Sequence, residues 1–359
     1  MTMLDDQQVA QAAADGEEAA GHLLRILNDG SVAVLLSLGH QVGLLDALAD
    51  LPPSGSAQLA DAAGLDERYV REWLGGIVTA GLADYDPAAR TYRLREDYAP
   101  LVAGPGVDNL ARQMQYVTLM AEVTPRVAER FRTGGGLDYS EYPRFQAIMA
   151  EESAAVLDAS LVQTTVPLAG VGERLEAGID VADFGCGSGH AVNLLAAAYP
   201  ASRFTGLDFS AAAIESARAE AHRLGLGNVE FEVVDVATVQ RPGAYDLVTA
   251  FDAIHDQAHP ATVLSAIHSS LRPGGTFLMV DIKASSHLEN NLGLPWAGFL
   301  YAISTLHCMS VSLGQGGEGL GTVWGTELAT RMLREAGFAS VEIRDLEEDP
   351  FNAYFVARA

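Results

Sequence analysis

The sequence has almost no lysine. Lys283 is the only one, and arginine carries nearly all the other positive charge. Against 22 basic residues stand 47 acidic ones, a formal net charge of −25. Such a field repels phosphate backbones, which disfavours nucleic acid as a partner and serves solubility without naming a substrate. Cysteine is scarce as well. Cys186 and Cys308 have no zinc-type spacing and are too few for a disulfide framework, which fits a reducing, cytoplasmic setting. The first fifteen residues have neither a cationic segment nor an apolar run, so no signal peptide is read there. No apolar run reaches the length of a membrane span, and no membrane partner is expected. Ser31 to Leu51 comes nearest, but Gly39, His40, Gly43 and Asp46 interrupt it.

What is present is 359 residues, 49% of them hydrophobic, enough for two domains with sizeable cores. Residues 1–16 are polar and read as a flexible N-terminus. From Glu17 to Leu51 apolar residues recur at helical spacing, until Pro52, Pro53 and Gly55 stop the pattern. Ser56 is placed to cap a short helix that Gly64 ends, and Asp66 to cap the next one, Glu67 to Thr79. The runs 82–85 and 91–94 flank the turn Asp86-Pro87 and read as the two strands of a wing. Residues 17–100 are therefore expected to form a winged-helix domain. Residues 101–175 read as a helical bridge and substrate cover. From about residue 176 short apolar runs alternate with helical stretches, the pattern of a mostly parallel sheet with helices on both faces.

The sharpest motif is Asp183-Phe184-Gly185-Cys186-Gly187-Ser188-Gly189-His190, which ends an apolar strand and opens a helix. Glycines at 185, 187 and 189 allow a tight turn and close approach of a ligand. A dinucleotide fingerprint needs glycine or alanine where His190 stands, so the spacing argues against a nicotinamide enzyme. Asp183 would repel a pyrophosphate but can accept from a ligand ammonium. Asp208 ends the next strand and can accept both hydroxyls of a ribose. Asp235 closes the third strand and can accept from an adenine amino group. Phe209, Val236 and Phe251 are candidates for the apolar faces around that ring.

A glycine loop followed by acidic residues at successive strand ends resembles the class I S-adenosylmethionine-dependent methyltransferases. The resemblance covers roughly residues 150–359 and includes the turn Leu271-Arg272-Pro273-Gly274-Gly275 and the final pair of strands. It implies an α/β fold, a seven-stranded Rossmann-like methyltransferase sheet at 176–359. By it, S-adenosyl-L-methionine is the cofactor, with Asp183, Gly185, Gly187 and Gly189 at its methionine end, Asp208 at the ribose and Asp235 at the base. The preceding winged helix is similar to that of small-molecule O-methyltransferases, where it dimerises and covers the substrate, and to an actinobacterial winged-helix group. A homodimer is expected on that ground and on the apolar face of Ser31 to Leu51.

In the resembling O-methyltransferases a His-Asp pair after the fourth strand supplies the general base. Here the pair is His255-Asp256, and Asp281 matches the carboxylate that orients the histidine. Where those enzymes have an aromatic residue next, this sequence departs from the pattern with Gln257. The insert 287–325 is the expected lid, with Trp296, Phe299 and His307 against a small, largely apolar methyl acceptor and Tyr142 closing the other side. His259, His268 and His307 lack ligand spacing, so no metal is expected. Two rival readings stay open: a DNA-binding regulator and a non-catalytic S-adenosylmethionine sensor. The first is opposed by residues 1–100, where six arginines face sixteen acidic residues.

Overall fold

A computed structural model of the protein describes residues 6–347 and 349–359. The chain forms two compact units, Met1–Thr118 and Leu119–Ala359. The division falls inside the region 101–175 that was read as a bridge. Of the expected flexible N-terminus, residues 1–5 lie outside the described residues, while the helix already begins at Asp6.

The first unit opens with α1 (Asp6–Gln41) and α2 (Leu44–Asp50), with Gly43 at φ 68° between them. That left-handed residue is where the expected single helical region breaks. Next come α3 (Ser56–Ala63) and α4 (Glu67–Thr79). Gly64 ends α3 in the left-handed conformation, and the Asp66 carboxylate caps α4 by accepting from the backbone N–H groups of Arg68 and Tyr69, both as expected. Ser56 does not cap α3. That position belongs to Gly55, and the Ser56 hydroxyl instead bonds Glu67 at 2.6 Å. The wing is the antiparallel pair β1 (Ala83–Asp86) and β2 (Thr91–Leu94). Leu45, Leu59, Leu74 and Ile77 are buried between these elements. Each such side chain contributes roughly 1.5–3 kcal/mol of hydrophobic stabilisation. The Trp73 indole N–H donates to the Leu35 carbonyl at 2.8 Å, satisfying the one polar atom of the largest core residue.

The second unit is built on a seven-stranded sheet. In chain order its strands are β3 (Asp180–Phe184), β4 (Arg203–Asp208), β5 (Val229–Val233), β6 (Tyr245–Phe251), β7 (Leu271–Ile282), β8 (Ser340–Leu346) and β9 (Asp349–Arg358). Their spatial order is β5-β4-β3-β6-β7-β9-β8, with β9 antiparallel to both neighbours and the other pairs parallel. The strands that begin at 181, 204, 247 and 276 in the sequence pattern are buried on both faces, which is why they read as continuous apolar runs. The order reverses between β3 and β6, so a crevice opens beyond their carboxyl ends. The helices α5 (Phe145–Ser160), α6 (His190–Ala198), α7 (Ala211–Leu224), α8 (Pro260–Ser270) and α9 (Gly325–Glu335) accompany the sheet.

The insert after β7 forms a run of helical pieces from Ala297 to Gly314 joined by a π turn at Ser304–Cys308. Spliced in this way, Ala297–Gly314 is long and apolar enough to cross a membrane, which corrects the expectation that no stretch reaches that length. The same test is passed by Gly16–Gln41 and Leu44–Asp50 only when the two arms, bent by 79°, are taken together. Ala297–Gly314 is 44% buried within the protein.

Candidate active site

Three glycines build the loop after β3. Gly185, Gly187 and Gly189 have φ of 81°, 52° and 75°, a region that L side chains rarely adopt. Two of them are also sterically required. A Cβ on Gly189 would lie 2.5 Å from the Ala217 methyl and 2.6 Å from the Phe231 ring, and one on Gly185 would lie 2.7 Å from the Ala253 methyl. The loop is tied to β4, since the N–H groups of Gly185 and Cys186 both donate to the Leu207 carbonyl.

Parallel pairing sets Asp183 beside Gly206 on one side and Thr249 on the other. The Asp183 carboxylate is buried and accepts from the Thr249 hydroxyl at 2.6 Å. Burial pushes its pKa up to about 7, against the Thr249 hydrogen bond and with help from the nearby Asp208 charge. Asp208 accepts from the backbone of Gly187 at 2.9 Å and of Ser210 at 2.8 Å. Its pKa is raised by burial despite those two bonds. Each carboxylate oxygen keeps further accepting capacity. The two acids thus meet at the glycine loop.

The adenine end is less complete. Asp235 is exposed, and its side chain accepts from Ala237 N–H in a short turn. The Val236 side chain is packed into the core on the α8 side of the sheet, so it offers no open face. Phe251 is partly buried against the opposite core cluster. Phe209 is 48% exposed and stands edge-on to Tyr139 with ring centres 5.6 Å apart.

Beyond β6 and β7 a second cluster forms. His255 Nδ1 lies 2.9 Å from Asp281 Oδ1, and both side chains are buried. A carboxylate can only accept, so Nδ1 carries the proton. The same Asp281 oxygen accepts from the Trp324 indole N–H at 3.1 Å and from the Ile282 backbone at 2.8 Å. Burial pushes the His255 imidazole down, but the charge and hydrogen bond of Asp281 and the nearby Cys308 thiol outweigh this, and its pKa is raised. Asp256 is pushed up to about 6 by burial, with His255 opposing and Asp281 and Asp208 adding. Asp252 occupies the left-handed region at φ 49°, and burial raises its pKa to about 7, helped by Asp281.

The lid approaches this cluster closely. Tyr142 donates its hydroxyl to the Leu306 carbonyl at 2.7 Å, and the Gly321 N–H donates to the His255 carbonyl at 3.2 Å. The stretch 314–321 is held by further bonds from Glu318 N–H to the Ala258 carbonyl and from Gly319 N–H to the Ser312 hydroxyl. His307 is buried against Phe145, Tyr142 and Tyr139. Trp296 lies instead against Phe351, with ring centres 4.5 Å apart, and Phe299 is partly buried. A hollow of about 410 Å³ opens outside this wall, lined by Tyr139, Tyr142, Gln146, Phe209 and Gln315 among others. A larger surface hollow of about 590 Å³ lies on α9 and β8, away from the strand tips and their acidic groups.

Several participants had no signal in the sequence. Thr249 becomes the partner of Asp183 only once β6 is known to lie beside β3. Cys308 and Trp324 reach the His255–Asp281 pair only through the folded lid. Among the described residues no group of three or more His, Cys, Asp or Glu is arranged to hold a metal ion.

Two family models match the chain. Residues 30–103 match the Rv2258c-like winged HTH domain, and residues 175–337 match a methyltransferase domain. The chain joins a winged helix-turn-helix domain to a methyltransferase domain. It is 31% identical over 132 residues to trans-aconitate 2-methyltransferase of Methylobacterium radiotolerans, which is 37% of this chain and 46% of that protein. It is 26% identical over 178 residues to the ubiquinone biosynthesis O-methyltransferase of Burkholderia pseudomallei, 49% of this chain and 71% of that protein. The chain thus spans under half the length of the first relative. A crystal structure of human N-acetylserotonin methyltransferase in complex with S-adenosylmethionine superposes with a TM-score of 0.69, covering 100% of this chain and 99% of that one. At 17% identity this is a likeness of fold. The glycine loop, Asp208, His255 and Trp324 all belong to the methyltransferase domain as the family model delimits it.

Proposed function

We propose that this protein is an S-adenosylmethionine-dependent methyltransferase acting at an oxygen of a small, largely apolar acceptor, with His255 as general base. The observation that carries the reading is Asp183. A buried carboxylate with Thr249 as its hydrogen-bond partner and a second acid nearby suits the ammonium of an amino acid and repels a pyrophosphate. Packing against Ala253 and Ala217 holds the loop at Gly185 and Gly189, while a Cβ on Gly187 would meet open space, which suits close approach of the same ligand. Asp208 is the candidate for the ribose. Asp235 is the candidate for the base, with Phe209 and Phe251 as apolar neighbours. Tyr142, Trp296, Phe299 and His307 are the candidates for the acceptor side.

S-adenosylmethionine, when bound, supplies a methyl group on a sulfonium. The chain supplies orientation and a proton acceptor. Asp281, held by Trp324 and the Ile282 backbone, fixes the His255 ring with Nδ1 protonated, so the lone pair lies on Nε2. An acceptor hydroxyl that gives its proton to Nε2 becomes a stronger nucleophile, an effect worth typically 10²–10⁴-fold in such reactions. Asp281 is a positioning residue, because it acts through His255. The raised pKa of His255 means that its basic form gains population as pH rises, so turnover should climb on the alkaline side.

The exposed Leu23, Leu24, Ile26 and Leu27 of α1, each more than half exposed, support a homodimer. The free thiols of Cys186 and Cys308 suit a cytoplasmic setting. A DNA-reading role for the winged helix is disfavoured by α4, whose Arg68 and Arg71 are paired with Glu72 and Glu67. The decisive experiment is transfer of a labelled methyl group across an acceptor panel, with calorimetry of S-adenosylhomocysteine alongside. Tight NAD binding with no response to S-adenosylhomocysteine would sink the reading.

A further inference from the structure

His307 has no part in the cofactor cradle or in the proton transfer, yet it is among the most buried polar groups of the protein. It is 1% exposed, and both ring nitrogens are buried without a hydrogen-bond partner. A neutral imidazole carries one donor and one acceptor, and burying them unpaired is unfavourable. The residue is also held firmly. Its ring stacks on Phe145 at 3.4 Å between centres and meets the edges of Tyr142 at 4.6 Å and Tyr139 at 5.8 Å. It sits in the π turn Ser304–Cys308, a geometry often found at functional sites. The adjoining Cys308 and His307 itself both lie within electrostatic reach of His255, and Tyr139 feels the charges of both Asp256 and Asp208. His307 therefore lies on the acceptor side of the site that His255 serves.

The charges around that site are acidic in sum, since His255 is balanced by its partner Asp281 and leaves Asp208 and Asp256. Among the described residues, those acting on Asp256 are His255, Asp281 and Asp208, and those acting on Tyr139 are Asp256, Asp208 and Cys308. Arg126, which acts on Tyr142, is already paired with Glu141 at 2.9 Å and is not free to receive an acid. Burial, reinforced by the proximity of His255, pushes the His307 imidazole down to about 3, so this ring does not supply a cation either.

We infer that His307 is a specificity-determining residue, which hydrogen-bonds a second polar group on an acceptor that carries no carboxylate or phosphate. The inference rests on the methyl-transfer reading above. It separates this protein from an enzyme for a polycarboxylic acid, whatever the sequence similarity to one.

The test uses the intact chain saturated with S-adenosylhomocysteine and three probes of one shape: 2,3-dihydroxynaphthalene, 2-naphthol and 3-hydroxy-2-naphthoate. Binding is read by calorimetry. The diol should bind about tenfold tighter than the naphthol, the return expected for one added buried hydrogen bond, and the naphthoate should bind weakest. His307→Phe keeps a ring against Phe145 and should bring the diol down to the naphthol, with the naphthol unchanged. His307→Gln keeps a donor and an acceptor and should retain the preference, which guards against a fold lost in the first variant. The inference is overturned if the naphthoate binds tightest, if His307→Phe weakens diol and naphthol alike, or if no probe binds while S-adenosylhomocysteine does. Failure of the wild-type chain to bind S-adenosylhomocysteine would instead overturn the underlying methyltransferase reading.

Discussion

Asp183 offers a quantitative test of the cofactor site through a single proton. In the free site its pKa is about 7 because burial penalises the charged form. An ammonium placed beside it would draw the carboxyl back toward its ordinary value of about 3.9. The sign follows from linkage. Binding favours the ionised form and so releases a proton, and affinity falls as pH drops through the free-site value. With a free-site pKa of about 7, lowering the pH from about 8 to about 5.5 reduces the ionised fraction roughly 30-fold, or about 2 kcal/mol of binding. Calorimetry of S-adenosylhomocysteine over this range measures it, and titrations in buffers of different ionisation enthalpy count the proton. S-adenosylhomocysteine is the right probe because its neutral thioether does not bring a sulfonium near Asp252 and Asp256, which titrate in the same range. Methylthioadenosine, which has no amino-acid end, should show little of the slope, and Asp183→Asn should abolish it. Equal slopes for the two ligands, or a slope that survives Asp183→Asn, would refute the reasoning.

Three further outcomes are expected. His255→Ala should lower turnover at least about 100-fold while S-adenosylhomocysteine affinity stays within about twofold; unchanged turnover would make the histidine structural. Trp324→Phe removes one donor from Asp281, concentrating that charge on the imidazole, so the rising limb of the pH–rate profile should move to higher pH with cofactor affinity unaltered. An unmoved limb would show that the indole serves packing alone. Gly189→Ala forces a methyl group to within 2.5 Å of the Ala217 methyl in a left-handed backbone, and should cost about 2–5 kcal/mol in a denaturant titration.

The sequence pattern was most readable where one residue type has one physical use. Gly64 after a helical run and Asp66 before the next marked a boundary that the backbone reproduces, because a left-handed stop and a side-chain cap are local events. The acids at strand ends were readable for the same reason: an Asp that closes an apolar run stands at the mouth of a parallel sheet. Partnerships across the chain were not readable. Thr249 meets Asp183 because β6 lies beside β3, a choice of topology that no local spacing encodes. Trp324 gave no sign of being the donor that steadies Asp281, since its role depends on how a 39-residue insert from 287 to 325 folds back. The π turn that buries His307 leaves no mark in a helical apolar pattern. Val236 misled because an apolar residue beside an acidic one at a strand tip can face either ligand or core, and here it faces the core.

The seat of β9 has a consequence for how the protein comes into working order. This strand follows β8 in the chain but lies between β8 and β7, so β8 can enter the sheet only with its successor already paired. Pairing of β9 with β7 joins residues far apart in the chain, a slow non-local event whichever way β8 then adds. The receiving edge is β7, whose Asp281 stands opposite Ala353 of the newcomer. The strand that carries the partner of His255 is thereby enclosed only when residues 352–358 arrive, and recovery of turnover during refolding would report on that pairing.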